Sequence, residues 1–232
     1  MSDLHDIQFP NESDQYRSAR NQLLQKELEL RNNIEELAVL RRKLPLGGEV
    51  KEDYLFEEID TLSGGEDIKQ TKLSELFDEG KESLIIYSFM YSSQMESACT
   101  SCTSILDSMN GTSPHVNQRV NLAVVAKSPI RRIREFADSR GWNYLRLLSS
   151  EKNTYNKDYF GEGPDGGQWP VCNVFVKKGK QIFHTYSTEL LFVAGEMQPR
   201  HVDLMWPLWN FFDLTPEGRG TDWYPKLDYS SS

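Results

Sequence analysis

The sequence predicts an α/β fold: a central mixed sheet flanked by helices, preceded by a long N-terminal helix. Three observations carry this expectation. The runs Ser83–Tyr91 and Val120–Ala126 are apolar, of strand length, and each is followed by a segment with helical spacing. Residues 169–176 and 181–186 flank Lys177-Lys178-Gly179-Lys180 and read as a hairpin. Leu23, Leu30, Leu37 and Leu44 recur every seven residues among Glu, Lys, Arg and Gln.

Residues 1–12 carry no periodic signal. Ser13 is placed to cap a helix over 14–44, which Pro45 and Gly47-Gly48 stop. The leucine repeat fits a coiled coil, but the second seam holds Arg20, Glu27, Ile34 and Arg41. Such charge disfavours a parallel pair, so a helix docked along its own domain is expected, with a homodimer left open. Residues 1–48 thus form a helical extension and 49–232 the main domain.

Tyr54–Ile59 reads as a short strand, Gly64-Gly65 as a turn, and Thr71–Phe77 as a short helix ended by Gly80. Ser83–Tyr91 suits a strand buried on both faces. After a loop, Ile105, Leu106 and Met109 mark a helix that Asn110-Gly111 closes. Val120–Ala126 is the next buried strand. Ser128 as cap and Pro129 at the first helical position open a helix to Arg140, with Gly141 at its end. Tyr144–Leu148 is a third strand. This alternation implies parallel strands with helices on the sheet faces. Residues 149–168 form a polar loop. The aromatic segment 202–212 reads as a helix that starts or kinks at Pro207, and the tail from Thr215 runs over the surface.

The 232 residues are 38% hydrophobic and 26% charged, with a formal net charge of −9. A core of useful size needs no disulfide framework. The acidic balance disfavours nucleic acid as a partner. No stretch approaches the ~18 apolar residues of a membrane span, and Met1–Asp6 lacks a basic region or apolar run. A cytoplasmic protein with no membrane partner is expected.

Cys99, Cys102 and Cys172 are the only cysteines. In a reducing compartment a close pair points to redox or metal chemistry rather than a staple. Cys99 and Cys102 stand at a helix start, about one turn apart. There the free amides and the positive dipole end favour a thiolate. Cys99 is then the nucleophile and Cys102 the resolving thiol. Zinc needs two further ligands. Cys172 and one of His5, His115, His184 or His201 would have to converge, and none is paired at ligand spacing, so no metal is expected. Two inert core thiols are the competing reading. Pro170 opens the hairpin strand. Cys172, two residues on, shares its face and is a candidate third thiol, although a small core residue is the plainer reading. His184 is a candidate base for Cys99, against a hydrogen-bonded strand-end histidine. Trp206, Trp209, Phe211 and Phe212 fit core positions of a helix or a partner groove, and Arg131-Arg132 and Lys177-Lys178 fit solvated faces.

The order of these elements resembles the thioredoxin-like proteins, in their peroxiredoxin-style form. More closely, the chain resembles the bacterial family called domain of unknown function 899, predicted dithiol–disulfide oxidoreductases. The segments that carry this are Arg42-Lys43-Leu44-Pro45, Lys51–Phe56, Tyr87–Tyr91, Ala98–Cys102, Gly141-Trp142, Phe183–Thr188 and Asp213–Arg219. The resemblance implies the fold, maps the redox pair onto Cys99 and Cys102, and maps the proline that is cis in thioredoxin-like folds onto Pro170. It implies a cytosolic thiol–disulfide oxidoreductase that uses no bound cofactor and acts on a protein or small-molecule disulfide or thiol. Pro170 would position the substrate. Thr100-Ser101 replace the Gly-Pro of thioredoxins, and the loop Ser92–Glu96 lacks the proline that peroxiredoxins set ahead of their cysteine. The alternatives are a non-catalytic binding module on this fold and a thiol-dependent peroxidase.

Overall fold

In a computed structural model, residues 4–59, 67–194 and 200–229 are described. The chain divides into two compact units, 1–45 and 46–232. The first is built on helix α1 (Asp14–Arg42). The Ser13 side chain caps it, accepting the Tyr16 amide at 3.1 Å. None of its residues is buried, and the seam leucines Leu23, Leu30 and Leu37 are exposed.

The second unit holds a seven-stranded sheet: β1 (Leu55–Ile59), β2 (Ile68–Lys72), β3 (Ser83–Ser88), β4 (Asn121–Ala126), β5 (Leu147–Ser149), β6 (Cys172–Lys178) and β7 (Gln181–Ser187). Spatially the order is β2-β1-β5-β4-β3-β6-β7. β3, β4 and β5 are mutually parallel, while β6 runs antiparallel to β3 and β7 to β6. Helices α2 (Thr100–Val116), α3 (Ile130–Arg140), α4 (Tyr155–Asp158) and α5 (Pro207–Asp213) complete it. The path β3-α2-β4-α3, then β6-β7-α5, with β4-β3-β6-β7 side by side, is the thioredoxin-like topology.

Alternation along the strands splits the core in two. Tyr87 on β3 and Leu122, Val124 and Ala126 on β4 face one cluster, which α2, α3 and α5 cover with Ile105, Leu106, Ile133 and Trp206. Leu84 and Ile86, with Ala123 and Val125, face the other, built with Tyr54, Phe56, Tyr155 and Phe175. The two covering helices of the first face are tied together. Asp107 on α2 accepts Trp142 Nε1, just beyond α3, at 2.8 Å and the guanidinium of Arg140, the last residue of α3. Gly141 takes a left-handed φ of 70° that lets Trp142 turn back into the core.

Several boundaries move. The segment expected as a helix over Thr71–Phe77 is β2 followed by a single 3-10 turn, Leu73–Glu75. Thr71 pairs with Phe56 and gives its hydroxyl to the buried Glu58 at 2.6 Å, so pairing outweighs local helix preference. α2 does not stop at Asn110-Gly111 but runs to Val116, because Met109 and Ser113 are buried beneath it. Pro129, not Ser128, is the cap residue of α3, and Ile130 is its first residue. The third strand is only Leu147–Ser149, and the polar loop contains α4. The expected turn at Gly64-Gly65 lies outside the described residues. Gly47 lies so close to β7 that a Cβ there would meet the His184 carbonyl oxygen at 2.1 Å. The next residue, Gly48, accepts the His184 amide at 2.9 Å. No described helix is long and apolar enough to cross a membrane.

Candidate active site

Cys99 is the N-cap residue of α2. Its backbone is extended, its amide bonds the Met90 carbonyl at 3.1 Å, and its carbonyl receives both the amide and the hydroxyl of Thr103. The side chain therefore sits where a serine or aspartate cap would accept the free amides of the first turn. The Cys102 amide points to Cys99 Sγ at 3.5 Å. Cys102 lies one turn on and is wholly buried, whereas Cys99 is partly exposed. Both are free thiols.

Their electrostatics diverge. The Cys102 thiol, donating to Cys99, is the largest influence on Cys99 and lowers its pKa to about 6. Burial opposes this, and the Cys102 and Ser101 amides reinforce it. Cys102 goes the other way, well above the free-thiol value, first through burial and then through the neighbouring Cys99. The partly exposed sulfur is thus the more acidic of the two, and the one a turn deeper holds its proton.

The loop before Cys99 is held from α3. Arg132 Nη1 donates to the Ser92 carbonyl at 2.9 Å and Nη2 to those of Met95 and Glu96 at 2.5 and 3.2 Å. Its guanidinium also lies 4.3 Å from the Tyr91 ring centroid. The sequence reading put Arg132 on a solvated face. Its neighbour Arg131 is exposed, and spacing alone does not separate two adjacent arginines whose targets are backbone carbonyls some 36–40 positions away.

The sequence places Tyr87 in an apolar strand and assigns it no role at the pair. It is wholly buried and donates its hydroxyl to Cys102 Sγ at 3.3 Å. It pairs with Cys172 across β3 and β6, which places that third thiol in the same face cluster. Cys172 is 3% exposed, and burial pushes it up to about 12.

Pro170 stands just before β6, at the end of β3 from which the chain leaves toward Cys99; Ser88 donates its amide to Val171 at 2.8 Å. The matching proline is cis in thioredoxin-like folds, and the sequence leaves the isomer at Pro170 open. No cis peptide bond occurs among the described residues, so the bond before Pro170 is trans. The Val171 amide returns to the Trp169 carbonyl at 3.1 Å. That three-residue turn suits proline's fixed φ and redirects the chain without a cis bond. His201 is half-buried, and burial lowers its pKa.

His184 does not join the pair. Its Nε2 lies 2.9 Å from Asn173 Oδ1, and its ring packs on Phe175 and Tyr159 in the cluster on the opposite sheet face. Burial lowers its pKa. A sheet therefore separates it from Cys99, and it is no base for that thiol. Of the four aromatic residues singled out near the C-terminus, Trp206 and Trp209 are core. Trp206 Nε1 donates to Ser104 on α2 at 3.0 Å, while Phe211 is exposed. Among the described residues no group of three His, Cys, Asp or Glu side chains is placed to hold a metal ion.

Residues 7–229 match the family described as bacterial protein of unknown function (DUF899). The chain belongs to this family. No curated protein matches this DUF899 chain. Among solved structures, Enterococcus faecalis AhpC is 10% identical with a TM-score of 0.46, over 61% of this chain and 78% of that one. Plasmodium vivax 2-Cys peroxiredoxin, in its reduced form, is 11% identical with a TM-score of 0.45, over 72% and 95%. Mycobacterium tuberculosis peroxidoxin BcpB is 17% identical with a TM-score of 0.43, over 70% and 94%. The strand order given above fixes the fold class without them.

Proposed function

We propose that this DUF899 chain is a thiol–disulfide oxidoreductase acting on a protein or small-molecule disulfide. The observation that carries the reading is the split within the pair: a partly exposed Cys99 with a pKa lowered to about 6, beside a buried, protonated Cys102. In the reaction the Cys99 thiolate attacks one substrate sulfur, forming a mixed disulfide and releasing the other sulfur as a thiolate. Cys102 then loses its proton and attacks Cys99 Sγ. The Cys99–Cys102 disulfide closes and the second substrate sulfur leaves. Two electrons pass to the substrate, two thiols are released, and an external dithiol resets the enzyme. Pro170, at the rim beside the end of β3, positions the substrate chain. Cys172 serves as packing in this scheme rather than as a reactant.

The test is equilibration in dithiol buffers of graded potential, with iodoacetamide reactivity followed against pH. A Cys99–Cys102 disulfide that forms reversibly, with Cys99 alkylation rising through a midpoint near 6, supports the reading. Failure of the disulfide to form in any buffer rejects it and leaves a non-catalytic binding module on this fold. Peroxide consumption lost in Cys99→Ser, with no turnover of disulfides, would instead assign a peroxidase.

A further inference from the structure

The resolving thiol poses a problem that the rest of the site does not answer. Cys102 must become negative as it attacks, yet it is wholly buried and held in its protonated form. The side chains that act on its sulfur are the Cys99 thiol and the Tyr87 hydroxyl. Tyr87 reaches it from β3, across the face cluster, at 3.3 Å. The phenol is itself wholly buried, faced by Cys102, Cys99 and Cys172, and held far from ionisation by burial. It can only donate. A fixed donor aimed at the atom where charge develops lowers the barrier to that step, and a water-excluded site strengthens it.

We propose that Tyr87 is a positioning residue of the exchange: its buried hydroxyl orients the Cys102 sulfur and stabilises it as a thiolate when it attacks Cys99. This rests on the oxidoreductase reading. β3 sets the geometry. Tyr87 pairs with Cys172 on β6 and with Val124 on β4, so its ring is held between two strand neighbours with its hydroxyl directed to α2. Cys172 then has a packing task, as the residue beside which that ring stands.

The aromatic disulfide dithiobis(nitrobenzoate) reads the two steps separately. Cys99 attacks it and releases one coloured nitrothiobenzoate. Cys102 then attacks Cys99 Sγ, which closes the protein disulfide, releases the second nitrothiobenzoate and gives up its proton to solvent. In Tyr87→Phe the second release is expected to slow by at least about tenfold and to need higher pH, since a hydrogen bond to a charged sulfur is lost. The first release and its midpoint near 6 should stay unchanged. Difluorotyrosine placed at position 87 is a stronger donor of nearly the same shape and should speed the second release. A packing role cannot produce opposite effects from these two changes, and the difluorotyrosine protein decides the matter if Tyr87→Phe fails to fold. A second release unaffected by both changes, or two phases slowed equally, overturns the role of Tyr87 alone. Absence of any second release from the unaltered protein rejects the oxidoreductase reading together with it.

Discussion

Cys99 owes its acidity to contacts within four residues. The thiol of Cys102 leads, and the amides of Cys102 and Ser101 follow. Replacing Cys102 by alanine removes the thiol donor but keeps the amides. In Cys102→Ala the midpoint of Cys99 alkylation is therefore expected to rise from about 6 toward, but not as far as, the free-cysteine value of ~8.5. A midpoint that stays at 6 would show that the helix amides suffice. The same shift links pH to stability. A depressed acid pKa contributes stability that is complete above the unfolded value and is lost as pH falls through the folded one. Reduced protein should thus gain stability over Cys99→Ser between pH ~6 and ~8.5. Above that window the raised pKa values of Cys102 and Cys172 work the other way, since those thiols ionise in the unfolded chain while the fold keeps them protonated. Urea titrations at several pH values measure both trends.

Among the elements, the β1–β2 hairpin is fastened to the sheet through Glu58. Burial alone would raise this carboxyl. Arg146, Thr71 and Lys69 around it lower it to about 2. Arg146 approaches through Nε and Nη2, both at 2.9 Å, and Thr71 at 2.6 Å. Glu58→Gln should cost about 2–3 kcal/mol by leaving a guanidinium partly buried without its charge partner. The stabilisation holds above the ordinary carboxylate pKa and is lost as pH falls toward 2, so the variant's deficit should shrink in acid. A deficit that is the same at pH 3 and pH 7 would count against this account. The loop before Cys99 depends on a different fastening, the three carbonyls that Arg132 holds. In Arg132→Gln the amides of residues 92–97 should exchange hydrogen faster, with the Cys99 midpoint unmoved, because α2 sets that midpoint and the loop does not. A displaced midpoint would show that the loop reaches the thiolate after all.

For the whole molecule, both core clusters lie within residues 46–232, and α1 contributes no buried residue. A chain starting at Leu46 should therefore unfold in one cooperative step with a midpoint within a few degrees of the full protein's. Loss of cooperativity would mean that residues 1–45 complete the fold.

Much of this was legible in the residues themselves. The apolar runs at 83–91 and 120–126, the hairpin around Gly179 and the helix opened at Pro207 are local patterns. The strands announce burial as near-continuous apolar runs, and the helix by its 3.6 spacing. The cap position of Cys99 was legible too, since a strand, a loop and a helical spacing follow in order. Thr71 and the end of α2 were misread because a partner decided them: Glu58 for the one, buried Met109 and Ser113 for the other.

The sequence by itself determined the fold class and the place of Cys99 at a helix start, because apolar strand runs and helix-cap chemistry operate within a few residues. Tertiary structure alone decided which groups meet the sulfurs. It put His184 on the far face of the sheet, made Pro170 trans, closed the loop with Arg132 and brought the Tyr87 hydroxyl to Cys102. The face that each of these side chains takes depends on strand register and helix docking, which join positions far apart along the chain.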